Sequence, residues 1–152
     1  MSRLLHLVDL PPIWLIGMLG IGYGVDRVLP GLGFGFGWSA SLGTVLVVIG
    51  LALMGFAVPA FVRARTSIIP RRVPRRILTT GIYRLTRNPI YLGDALVLGG
   101  MILRWDVLPA LVLVPVFIQV ITRRFIIGEE AGLLYEFGEE FRDWAARVRR
   151  WL

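Results

Sequence analysis

Asp94 lies inside an apolar run, one helical turn beyond Tyr91, so the two side chains share a face if the run is helical. An ionisable group within a membrane-spanning segment is costly and by default marks a functional site. The competing reading is that Asp94 pairs with an arginine of the same membrane boundary and only fixes the depth of its helix. Tyr83, Arg84, Arg87 and Asn88 stand just before that run, while Arg123 and Arg124 close a later one and are followed by Glu129 and Glu130. If the two runs form a hairpin, cations, carboxylates and aromatic rings meet at one level, beside lipid. Such a pocket suits a soluble, charged, purine-bearing cofactor and an apolar substrate entering sideways from the bilayer. Cysteine is absent and the single histidine, His6, belongs to the N-terminal arm, so no nucleophile–base–orienter set can be assembled. What remains is transfer of an activated group by positioning and electrostatics. Arg87 or Arg124 could orient a carboxylate acceptor, and Glu130 or Asp94 could take a proton from an amine acceptor. Asp94 and Arg124 are the residues expected to face the substrate.

Such a site needs elements that end at a membrane boundary. Hydrophobic residues make up 56% of the 152, and the mean hydropathy is +0.72. A soluble domain of this size has too little interior for that much apolar surface, so an integral membrane protein is expected. All 17 basic residues are arginine and the net charge is +7. Eight of them fall at 63–88, where no acidic residue occurs, the pattern of a cytoplasmic loop under the positive-inside rule. Nucleic acid is a weaker explanation of that placement, and none is expected as a partner. With no cysteine and one histidine, no disulfide and no metal site are expected.

Residues 12–25, continuing towards Leu29, are apolar and open with Pro12, which suits a first helical turn. They lack a basic segment followed by a small-residue cleavage site, so they read as a retained anchor. Gly20 and Gly24 predict a face for close helix approach. The glycine-rich stretch 30–38 is a loop without the spacing or the Lys-Ser/Thr of a phosphate cradle. Residues 42–62 form the clearest span. Residues 66–87 form the basic loop, where Pro70 and Pro74 prevent a long helix. Residues 89–103 and 107–122 then make a helical hairpin around a tight turn at 104–106, each extended by its flanks to reach spanning length. Charge orients the whole: the arginine-rich segments lie inside and the neutral loops at 26–41 and 104–106 outside, so both termini are cytoplasmic.

Beyond Arg123, Leu133, Leu134, Phe137, Phe141, Trp144, Val148 and Trp151 recur at the helical period, with charged residues opposite. They predict an amphipathic helix on the membrane surface or against the basic loop. Glu130 projects onto the centre of the apolar stripe, where a carboxylate needs a partner. The expected fold is therefore all-α integral membrane, with about four transmembrane helices, the last two a hairpin, and a C-terminal amphipathic helix. It is one domain, 1–152, with an N-terminal helix pair at 1–62 and the cofactor-binding and catalytic part at 63–152.

Two ordered motifs then sharpen the function. Leu78-x-Thr80-Gly81-x-Tyr83-x-x-x-Arg87-Asn88-Pro89-x-Tyr91-x-Gly93, followed by Glu129-Glu130-x-x-Leu133-x-x-x-Phe137-Gly138, resembles the isoprenylcysteine carboxyl methyltransferase and phospholipid methyltransferase family over residues 63–151. The resemblance implies an integral membrane enzyme that uses S-adenosylmethionine to methylate a lipid or lipid-modified substrate, oligomeric state undetermined. It implies that Arg75, Leu78, Tyr83, Asn88, Pro89, Ile90 and Tyr91 line the cofactor site and that Glu129 closes it. Asn88 stands where many members carry histidine, Arg75 replaces a further histidine, and Phe141 and Trp144 occupy places usually held by tyrosines. The residue types agree with such a cofactor, which offers a carboxylate to arginine, a ribose diol to Glu129 and a sulfonium to aromatic faces. The family likeness gives the ribose role to Glu129, whereas periodicity makes Glu130 the buried one.

Two other readings stand beside methyl transfer. Sterol-reductase-like membrane enzymes, which use NADPH, carry a similar Arg-x-Pro-x-Tyr-x-Gly-Asp signature, matched here from Arg87 to Asp94. The Glu-Glu-x-x-Leu motif favours methyl transfer over reduction. A non-catalytic membrane protein whose motifs only pack helices predicts no cofactor affinity at all.

Overall fold

A computed structural model describes residues 9–64 and 76–152, and all regular structure among them is helical. Helix α1 spans Pro11–Val28, α2 spans Ser39–Arg63 and α3 spans Pro89–Trp105. A continuous helical stretch follows over Leu108–Phe137. It opens with a 3-10 turn at Leu108–Val112, continues as α4 (Leu113–Ile121), widens to a π turn at Thr122–Ile126 and ends as α5 (Ile127–Phe137). Helix α6 covers Glu139–Arg147.

Two of these, Ser39–Arg63 with 25 residues and Leu108–Phe137 with 30, are long and apolar enough to cross a membrane. Helices α1 and α3, at 18 and 17 residues, rise about 27 and 26 Å, slightly short of a hydrocarbon core of about 30 Å. Neighbouring helices alternate in direction. Gly50 of α2 lies against Gly93 of α3, and Gly43 against Gly100, so these two helices are antiparallel. Gly22 near the end of α1 meets Trp105 at the end of α3 and Leu113 at the start of α4. The hairpin expected from the sequence is thus present, and it joins a four-helix arrangement with an inner cluster of Met18, Leu98, Ile102, Phe117, Ile121 and Phe125. Val48, Leu51, Phe56 and Val62 of α2 stay exposed, an outward apolar surface suited to lipid contact.

The helix contacts correct one expectation. A methyl group added at Gly20 or Gly24 would meet nothing within 4 Å among the described residues, so these glycines do not form the close approach that their spacing predicts there. The approach is made by Gly43, Gly50, Gly93 and Gly100, whose seven-residue spacing keeps them on one seam of their helices.

The hairpin turns at Asp106, which adopts the left-handed conformation (φ 58°) that commonly ends a helix. Its carboxylate accepts hydrogen bonds from Phe34 N at 2.9 Å and Ser39 Oγ at 3.5 Å, and Leu108 N donates to Leu32 O at 3.0 Å. The glycine-rich loop is thereby pinned to the turn, at the end of the bundle away from Tyr91.

At the other end the sequence-based boundaries shift. The helix expected to stop at Thr122 continues through Arg123 and Arg124, because no breaker intervenes and long arginine side chains can reach out from a helix that stays apolar on its other faces. The single amphipathic helix expected beyond them is divided. Its first part closes the long helix, Gly138 breaks the run with a positive φ of 51°, and α6 carries Phe141 and Trp144 into a second buried cluster. Val148 is extended (φ −118°, ψ 126°), so Val148 and Trp151 belong to a tail and not to a helix face.

Candidate active site

The site forms where α3 begins and the long helix enters its last third. Pro89 occupies the first turn of α3, where its missing N–H costs nothing, and Asn88 precedes it. Tyr83 comes from a 3-10 turn at Gly81–Arg84, and Glu129 and Glu130 lie in the first turn of α5. Tyr91 Oη donates to Glu129 Oε1 at 2.9 Å. The two sequence motifs, almost forty positions apart, therefore meet side chain to side chain. Tyr83 is buried; burial pushes its hydroxyl pKa well above the usual value, and the charge on Glu129 adds to the effect. The hydroxyl is a neutral donor at any physiological pH.

Leu78, Tyr83 and Ile90 pack into one apolar cluster with Ala57, Phe141 and Trp144, and the ring of Phe61 meets Tyr83 edge-on at 5.9 Å. Within it Trp144 Nε1 is buried and has no hydrogen-bond partner among the described residues. An unmet buried donor costs roughly 1–3 kcal/mol. A polar ligand inserted among these aromatic and aliphatic walls would satisfy it, so the residues present fit a purine-bearing cofactor. Arg75, the further cofactor residue implied by family likeness, lies outside the described residues.

Glu130 has the partner that its place on the apolar stripe demanded, and it has two. Arg150 grips both oxygens, Nε to Oε1 at 3.0 Å and Nη2 to Oε2 at 2.6 Å, and Arg87 Nη1 stands 3.3 Å from Oε1. Burial lowers the pKa of Arg87, the Glu130 charge opposes that, and Arg150 adds repulsion. The hydrogen bond to Glu130 raises the pKa of Arg150. Both oxygens of Glu130 are occupied by guanidinium contacts, which argues against Glu130 as a base. Asn88 is partly committed as well: its Nδ2 donates to Arg150 O at 3.0 Å.

Arg124 is not brought to this cluster. Its Nε and Nη2 bind the Asp9 carboxylate at 3.2 and 2.9 Å, and its guanidinium lies 5.3 Å from the centre of the Trp14 ring. Trp14 Nε1 also donates to Asp9 at 3.0 Å. Depth alone placed Arg124 beside the glutamates, but residues five and six apart on a helix point to different faces. Arg124 fastens the start of α1 to the long helix instead. Asp94 is 5% exposed, follows Tyr91 by one turn, and has no hydrogen bond or ion pair among the described residues. No described arginine takes it, so the reading in which it only pairs at the boundary has no support.

Sequence reasoning missed Asp9, Thr86 and Arg150. For Arg150 one signal existed: a carboxylate on the apolar stripe, as Glu130 is, requires a partner, and the tail is rich in cations.

Among the described residues all regular structure is helical, two helices are long and apolar enough to cross a bilayer, and a part-buried tyrosine–carboxylate pair lies towards one end of them, features that suit a membrane protein. Residues 38–140 match the family model described as phospholipid methyltransferase, and the chain belongs to that family. Membership implies a methyltransferase with activity on lipid substrates, of a kind that typically uses S-adenosylmethionine. No curated protein and no solved structure matches the chain.

Proposed function

We propose that this chain transfers a methyl group from S-adenosylmethionine to a lipid or lipid-modified substrate at the cytoplasmic face of a membrane. The observation that carries the reading is the Tyr91–Glu129 hydrogen bond, which joins the two motifs of a methyltransferase-family chain into one site. In this reading four antiparallel helices cross the bilayer, and residues 63–152 supply the site on the arginine-rich side. The substrate enters from the bilayer.

When bound, S-adenosylmethionine supplies an electrophilic methyl group on a sulfonium centre. Leu78, Ile90, Tyr83 and Trp144 would hold it, with aromatic faces suited to a cation and an indole N–H suited to an acceptor. Glu129, already oriented by Tyr91, would accept hydrogen bonds from the cofactor. Apolar walls exclude water, and methyl transfer needs alignment more than acid–base help.

Between the two acceptor types, an amine is favoured. Arg124 and Arg150 are each bound to a carboxylate and Arg87 stands beside one, which leaves none of the three to orient a carboxylate substrate. Asp94, buried one turn beyond Tyr91, would hold an ammonium group and take the proton it must lose before its nitrogen accepts a methyl group.

The test is methyl transfer from labelled S-adenosylmethionine into a total lipid extract, using the protein in lipid nanodiscs. Label is expected in an amine-bearing lipid. Asp94→Asn is expected to slow it by about a hundredfold or more at unchanged cofactor affinity. A wild-type rate in Asp94→Asn removes Asp94 from the mechanism. Thermal stabilisation by NADPH and none by S-adenosylmethionine would replace methyl transfer by the reductase reading.

A further inference from the structure

Residues 148–151 lie beyond the segment that matches the family model, yet they touch both halves of the site. Arg87 N donates to Arg149 O at 2.9 Å, and Thr86 Oγ1 and Asn88 Nδ2 both donate to Arg150 O, at 3.2 and 3.0 Å. These bonds fix the tail to the turn that leads into α3. The Arg150 guanidinium then crosses to the long helix and grips both oxygens of Glu130, the neighbour of Glu129. Trp151 Nε1 adds a bond to Thr122 Oγ1 at 3.2 Å, in the π turn of the same helix. Arg150 thus binds the two motifs at once, one through its carbonyl and the other through its side chain.

The consequence falls on the Tyr91–Glu129 pair. Tyr91 lies in the first turn of α3, which Asn88 caps and joins through the Leu92 N–Asn88 O hydrogen bond at 2.9 Å, and Glu129 is one residue from Glu130. A two-pronged guanidinium–carboxylate contact fixes orientation as well as distance. We propose that Arg150 is a positioning residue, which holds the first turn of α5 in register with the start of α3 so that Glu129 meets Tyr91. A tail outside the family-matched segment thereby completes the cofactor site. The kinetic part of this inference rests on the methyltransferase reading; the tether itself does not.

Arg150→Gln removes the two-pronged grip and keeps the carbonyl used by Thr86 and Asn88. In nanodiscs the expected result is a rise of about tenfold or more in KM for S-adenosylmethionine with the protein still folded. Arg150→Lys, able to meet one oxygen, recovers part of it. Arg142→Ala, which removes an exposed pair with Glu139, leaves KM unchanged. A purely structural role would lower the melting temperature and the active fraction while KM stays at the wild-type value, and that outcome overturns the proposal.

Hydrogen exchange without any cofactor gives a second readout. Amides at 87–88 and 128–131 are expected to exchange roughly tenfold faster in Arg150→Gln, as a loosened local unit does. Unchanged protection at both segments overturns the proposal. Should Arg150→Gln not fold, Thr86→Val loosens the same tether from its other side and is expected to shift the same amides and the same KM. Faster exchange in a protein whose wild type never uses S-adenosylmethionine upholds the tether and removes the methyltransferase reading.

Discussion

Glu129→Gln is expected to raise KM for S-adenosylmethionine about ten- to hundredfold while leaving the protein folded. The substitution keeps size and an acceptor oxygen and removes the charge. The charge matters because Tyr91 donates to this carboxylate at 2.9 Å and because Tyr83 is close enough for its own ionisation to be opposed by it. Hydrogen bonds to a charged group contribute roughly 1.5–3 kcal/mol, against about 1 kcal/mol for a neutral pair. Losing the charged form of one or two such bonds to a ligand gives the stated range, at 1.4 kcal/mol for each factor of ten. Tyr91→Phe is expected to produce a smaller rise, because the carboxylate survives but loses its orienting donor. The double variant should fall short of the product of the two effects, since both remove the same contact. Initial rates over a titration of S-adenosylmethionine, with calorimetric binding beside them, check all three. An unaltered KM and binding constant in Glu129→Gln would remove this residue from the cofactor site.

The contrast between neighbours explains how far the sequence could be read. Helical periodicity puts Glu130 on the apolar stripe and in need of a partner; the structure leaves it half-buried, as it does Glu129, and supplies Arg150 and Arg87. Periodicity could not say which cation would come, because Arg150 sits in an extended tail that a helical wheel had assigned to a helix. Arg124 failed for the opposite reason. Its depth was legible from the end of the apolar run, but its facing depended on the helix continuing past Thr122. Its partner Asp9 gave no pattern at all, being a lone carboxylate ahead of two prolines.

The spanning helices were legible in proportion to their apolar length. The run at 42–62 became α2, Ser39–Arg63, within a few residues. The helix over Leu108–Phe137 runs past the charged residues at which its apolar run ends, because arginine and glutamate side chains can leave a helix without stopping it. Glycines were the hardest to interpret. A helix may carry one for close approach or for nothing, and only the partner helix decides. Gly20 and Gly24 had the expected spacing and face open space, whereas Gly50 and Gly93 lie backbone to backbone.

That contact carries the largest expected effect on the fold. Gly50→Val is expected to destabilise the protein by about 1–3 kcal/mol or more and to weaken S-adenosylmethionine binding with it. A Cβ at Gly50 would lie 2.6 Å from the Gly93 carbonyl oxygen and 3.0 Å from Val97 Cγ2. The obstacle is backbone, so no rotamer change relieves it and the two helices must separate. Between helices in lipid, where no hydrophobic effect draws them together, close packing is a main source of association, so separation forfeits a large part of it. The displaced helix is α3, in which Asp94 follows Gly93 and Tyr91 stands two residues before it, so movement at this seam is transmitted to the site. Gly50→Ala should show the same effects at smaller size. Gly55→Val, five residues along the same helix with nothing within 4 Å of an added Cβ, should show neither. Thermal unfolding in nanodiscs and cofactor titration of the three variants provide the measurement. Equal stability of Gly50→Val and Gly55→Val would mean that the seam between α2 and α3 does not hold the site together.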